Sequence, residues 1–204
     1  TRGSARSAPE AFAPGLCDER PGACSDEVAD GIVIRVDGAE VPAVGIRSVI
    51  QNGLAAAGDS VSPEVVKRAA VANLVFSMIV LDEAGAAGIV VSIDDAREDA
   101  EKMLANLASG GSEWQQDFGH SLDVIRADAM EPASLESRRK SLTISRFIDS
   151  VIAPGVTGSD STDPASAAKS AWFADALKRY DIEIVGLDLP IEDLPTALVT
   201  RTNG

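Results

Sequence analysis

The chain has 204 residues, 45% hydrophobic and 25% charged, which is the balance of a folded globular protein rather than of a disordered one. Its 32 acidic against 18 basic residues leave a net charge of −14, which repels nucleic-acid phosphates and anionic membrane surfaces alike. Aromatics are only 4%, so a core has to come from Val, Ile, Leu and Ala, and the Ala-rich runs favour helices with some strand.

Residues 1–26 are polar, with Ala, Pro and Ser, and read as a flexible leader. Residues 1–14 lack the apolar segment of a signal peptide. The only two cysteines, Cys17 and Cys24, flank the turn-forming Pro21-Gly22. With no CxxC spacing and no nearby His they lack the ligands of a zinc site. A local disulfide or two free thiols remain. A disulfide closing so short a loop stabilises by about 2–3 kcal/mol.

One domain is expected over 27–190, with 191–204 as a frayed tail. In "GIVIRVDGAEVPAV", Ile32, Ile34 and Val36 share a parity, and Asp37-Gly38 is a two-residue hairpin turn. Ile46, Val49, Ile50 and Leu54 then recur at helical spacing. A long helix is predicted from Pro63, capped by Ser62, to about Ala84, with Gly85 and Gly88 as its stop. Its apolar run, 69–81, is interrupted only by Asn73 and Ser77 and is too short for the ~20 residues of a membrane span. Apolarity on all sides therefore predicts the centre of a core.

Ser92 and Asp95 form an approximate capping box for an amphipathic helix whose stripe is Ile93, Ala96, Ala100, Met103, Leu104 and Leu107 and whose other face is acidic. Shorter helical pieces lie on either side of Gly119. Glu131-Pro132 opens a long helix to Ile152, with Leu135, Leu142, Phe147, Ile148 and Val151 inward. The segment 153–164 reads as a loop. A last helix over 165–180 leads into a strand in "IEIVGLDL".

The ordered set of pieces resembles the N-terminal domain of SurA-like periplasmic and secreted chaperones. Val36-Asp37-Gly38 matches the family's hairpin turn. Ala84, Gly88, Ile89, Val91, Ser92 and Asp95 match the end of its apolar helix and the start of the next one. Residues 129–135 and Arg138 match a later turn, in which Ala129 stands where the family has Gly. The resemblance covers about 32–152. It implies a mainly α fold, a helical domain closed by a small β-sheet formed by an N-terminal hairpin and a C-terminal strand. Many relatives carry a parvulin-type prolyl isomerase domain after the long helix; here 153–164 is far too short for one. The resemblance also implies an extracytoplasmic setting, which favours the Cys17–Cys24 disulfide.

The implied function is an ATP-independent chaperone-type domain that binds unfolded or extended polypeptide without catalysis; an adaptor holding one fixed protein partner on the same fold is the alternative. A homodimer is compatible with either. Trp114, Phe118, Leu122, Met130, Trp172 and Phe173 are the candidates for a client groove, since aromatics and Met adapt their contacts; the alternative is that they complete the core. The single His120 has no nucleophile motif beside it, although Ser121 and Asp123 are near. Asp94, Asp95, Glu98, Asp99 and Glu101 do not have calcium-loop spacing and read as a solvated face. Neither phosphate-cradling glycine motif is present. No catalytic residue, metal or cofactor is assigned.

Overall fold

The structure, a computed structural model, describes residues 29–57, 61–109, 121–155 and 164–199. Cys17, Cys24, Trp114, Phe118 and His120 lie outside the described residues.

The chain enters through the expected hairpin, β1 (Val33–Val36) and β2 (Ala39–Glu40). Asp37 (φ 49°) and Gly38 (φ 74°) are both left-handed, the pair that matches a two-residue turn to the twist of its strands. Ile32, Ile34 and Val36 are buried, as their parity predicts. β3 (Ile182–Val185) pairs antiparallel with the other side of β1, with Ile34 opposite Ile184 and Val36 opposite Ile182, giving the order β2-β1-β3. On the exposed face Arg35 bonds Glu40 at 2.9 Å and Glu183 at 2.6 Å, one charge tying all three strands. A mainly helical chain closed by a small antiparallel sheet is thus observed, with hairpin and C-terminal strand in the same sheet.

The helices are α1 (Ala43–Ala57), α2 (Pro63–Ala86), α3 (Ile93–Ser109), α4 (Leu122–Met130), α5 (Pro132–Phe147), α6 (Pro164–Ala176) and α7 (Leu194–Val199). Ser62 accepts from the Val65 N–H at the start of α2, and Pro63 occupies a first-turn position where no N–H is missed. α2 packs against α1, α5, α7 and β1. Val71, Val75, Ile79, Val80 and Ala84 have no exposed surface. α2 is therefore the central helix that its all-round apolarity predicts. None of the helices is long and apolar enough to cross a membrane, among the described residues.

α3 lays Ala96, Ala100 and Leu104 against α5 and turns Asp94, Glu98 and Glu101 to solvent. Arg138 of α5 reaches Asp99 at 2.6 Å and fixes the pair laterally. The capping box is reciprocal. The Ser92 N–H donates to Asp95 Oδ2, and the Asp95 N–H donates to Ser92 Oγ, each at 3.0 Å. The Ser92 N–H, and next its side chain, hold the Asp95 carboxyl below its usual pKa. A depressed carboxylate stabilises above its unfolded pKa, and that stability fades as pH falls through the folded one. Ser92→Ala is expected to cost about 1 kcal/mol at pH 7 in a denaturant melt, and the cost is expected to shrink as pH falls through the folded pKa of Asp95.

Three expectations need correction. Ile93, expected on the inward stripe of α3, is exposed at the first residue of that helix. Val151 is exposed (45%), and Ile152 is buried in its place. The cause is a π turn over Ile148–Ile152, with the Ala153 N–H donating to the Ile148 carbonyl at 2.8 Å. The wider turn delays the inward position by one residue relative to an α-helix. The segment after Pro190 is also not a frayed tail as far as residue 199. Ile191–Asp193 forms a short 3-10 turn, and α7 comes next with Leu194 and Pro195 buried between α2 and α6. Ser170 Oγ donates to the Pro195 carbonyl at 3.2 Å. Six residues are too few for a helical period to show in sequence.

Candidate functional site

One side of α2 is not covered by another helix. Asn73, Ser77, Leu81 and Gly85 recur every four residues and, with Leu74, Met78 and Asp82, form one wall of a cleft of about 1230 Å3. The facing wall is α5, with Glu136, Arg139, Lys140, Thr143 and Ile144. Residues 39–42 of the hairpin and Val49 of α1 also line the cleft, and the segment after α2 adds Ile89 and Val90. The cleft lies where residues of β2 and α5 stand around the Asn73–Ser77 face of α2 without covering it. Gly85 adds no side chain there.

The floor is apolar, supplied by Val49, Leu74, Met78, Leu81, Ile89 and Ile144. Its position is pinned by Thr143, the one buried polar side chain among the described residues. Thr143 Oγ1 donates to the Arg139 carbonyl at 2.9 Å and accepts from the Val91 N–H at 3.4 Å, which staples the segment after α2 to α5. Val90, one residue before that staple, is 61% exposed at the cleft.

The rim carries both signs. Arg139 holds Glu136 with two bonds of 2.7 Å, and this pairing depresses the Glu136 carboxyl and raises the guanidinium. On the α2 side, Tyr180 donates to Asp82 Oδ2 at 3.0 Å and lies 3.3 Å from Glu83 Oε1. Burial, and next the hydrogen bond to Asp82, push the Tyr180 phenol up, so it stays protonated and donating at any physiological pH. Arg179 meets Glu83 at 2.7 Å. The C-terminal end of α2 is thus clamped by the turn before β3. Asn73 Nδ2 donates to the Ala69 carbonyl at 3.0 Å, which fixes the amide at the cleft wall. No group of His, Cys, Asp and Glu side chains able to hold a metal is found among the described residues.

Of the expected groove residues, the four that are described, Leu122, Met130, Trp172 and Phe173, do not line the cleft. Phe173 is fully buried and offers no surface to a client; it meets Phe76 edge-on at 5.3 Å. Trp172 is half-buried and packs edge-on against Phe76 at 5.9 Å and Phe147 at 5.5 Å. This pair completes the core, because α6 needs bulky side chains to fill the space beside Phe76. Leu122 and Met130 are half-buried on α4, and neither lines the cleft. Ser121 is the cap of α4, accepting from the Val124 N–H. The cleft residues were missed although a signal was present: Asn73 and Ser77, four apart, are the only polar residues of the 69–81 run, and the same face continues to Leu81 and Gly85.

Comparison with protein-family models, with curated proteins and with solved structures finds no match. The class of protein is therefore defined by the architecture itself: a helical chain with a small antiparallel sheet and an apolar, polar-rimmed cleft beside its central helix.

Proposed function

We propose that this is an extracytoplasmic, ATP-independent chaperone-type domain of the SurA-like kind, which binds extended, unstructured polypeptide in the cleft between α2 and α5 without catalysing any reaction on it. The observation that carries the reading is the cleft's size and lining. At about 1230 Å3 it exceeds the roughly 300–1,000 Å3 of small-molecule pockets, and its floor is aliphatic, with a Met that adapts to unlike side chains. Two of the motif positions on which the family resemblance rests, Ile89 and Val91, lie at or beside this cleft. The charge of −14 keeps such a protein soluble while it carries an apolar client.

Val90→Asp tests the site with little risk to the fold, because Val90 is mostly exposed. Fluorescence anisotropy with labelled, reduced and carboxymethylated α-lactalbumin, a permanently unfolded chain, is expected to show binding weakened about tenfold, with the melting temperature kept. Met78→Ala is expected to weaken it in the same direction. Unchanged affinity in both variants would remove the cleft from the reading. Failure of the wild-type protein to bind the unfolded chain, with capture of a single folded partner, would favour an adaptor instead.

A further inference from the structure

We infer that the cleft takes its occupant by strand addition, with the client's main chain pairing to the outer edge of β2 at Glu40. This rests on the polypeptide-binding reading above and specifies how the chain is held. β2 is a terminal strand in the order β2-β1-β3, and no other described strand pairs with its outer side. Its residues 39–42 line the cleft consecutively.

The register decides which main-chain groups face that edge. Val36 and Ala39 are partners flanking the two-residue turn, and the Val41 N–H donates to the Ile34 carbonyl at 2.9 Å. Ala39 and Val41 therefore direct their main-chain groups toward β1. In an antiparallel ladder the residue between them points both groups the other way, so the Glu40 N–H and C=O leave the sheet edge together. Pro42 has no N–H, which confines the usable edge to one donor and one acceptor at Glu40. Such an edge is a template for a further extended segment.

The rest of the cleft fits that occupant. A segment paired at Glu40 has the floor of Val49, Leu74, Met78 and Ile144 beside it to receive alternate side chains. Its charge is matched as well. Glu40, Asp82 and Glu136 stand against Arg139 and Lys140 in the lining, and Glu136 is already held by Arg139. A strongly acidic or strongly basic segment meets like charge on one wall, whereas a near-neutral segment alternating apolar and small polar residues meets none. Main-chain pairing is the same for every client sequence, so tolerance of unlike clients results.

The probe is a fluorescein-labelled octapeptide alternating Ser with Val or Leu. Glu40→Pro deletes the outward N–H but no ladder bond; Glu183→Gln, on β3 and outside the cleft lining, is the control for loss of a carboxylate that Arg35 uses. The expected result is near wild-type affinity for Glu183→Gln and about tenfold weaker binding for Glu40→Pro, with the melting temperature of both retained. A scan of single N-methyl groups along the octapeptide, on the wild-type protein, is independent of any folding defect in Glu40→Pro. It is expected to show loss at the paired position and tolerance at its neighbours. A flat N-methyl scan, or wild-type affinity in Glu40→Pro, overturns strand addition, and the cleft reading survives if Val90→Asp still weakens binding. Absence of wild-type binding to both the octapeptide and unfolded α-lactalbumin overturns the two together.

Discussion

Phe76→Asp is expected to yield no folded protein. Phe76 is 5% exposed near the middle of α2, and its ring is met edge-on by Trp172 and Phe173. An aspartate there sits among aromatic rings and aliphatic neighbours, and the penalty for burying its unpaired carboxyl, charged or protonated, adds to the lost packing of the ring, against a domain's whole margin of about 5–15 kcal/mol. Phe76→Ala is the graded version. It removes the transfer energy of the ring and leaves a cavity that Trp172 and Phe173 can only partly fill, for a loss of about 3–5 kcal/mol. Circular dichroism of Phe76→Asp at 20 °C and a urea melt of Phe76→Ala check the pair. A cooperative melt near the wild-type midpoint for either variant would show that α2 is not the core element.

The second large effect is expected at Gly186, where β3 ends. Its φ is 78°, and a Cβ there would stand 2.0 Å from the Gly31 carbonyl oxygen and 2.6 Å from its carbon. Two strained elements then coincide. The left-handed backbone costs a non-glycine residue about 1–3 kcal/mol. The overlap is with backbone, not with the end of a flexible side chain, so β1 and β3 must part at Val33 and Val185 to relieve it. Gly186→Ala is expected to lose more than about 4 kcal/mol, a size reserved for few mechanisms. Gly38→Ala is the control, since Gly38 has a similar φ of 74° with nothing within 4 Å of the added atom, and only the conformational cost applies. Equal losses in urea melts of the two variants would refute the close approach.

Local chemistry by itself determined most of the elements. Asp37-Gly38 specified the hairpin because few residues adopt left-handed φ twice in succession. Ser62-Pro63 and the Ser92–Asp95 box specified two helix starts, because each satisfies N–H groups within one turn of the chain. The apolar run 69–81 specified a central helix, because its apolar residues reach round nearly the whole circumference. These are signals complete within a few residues of sequence. The joining of β3 to β1 was legible only with the help of the family resemblance.

The tertiary structure alone decided the rest. Whether Trp172 and Phe173 fill a core or line a groove depends on which helix faces them, and Phe76 and Phe147 settle it in favour of the core. The inward position at Ile152 instead of Val151 comes from the π turn, a choice of hydrogen-bond partner that leaves no periodic trace. α7 is too short to signal itself and is held by burial of Leu194. The cleft is the clearest case. Asn73 and Ser77 marked a polar strip on α2, but a wall becomes a site only when β2, α5 and the segment through Val90 stand around it. That placement is a matter of long-range packing between residues far apart in the chain, and no local preference encodes it.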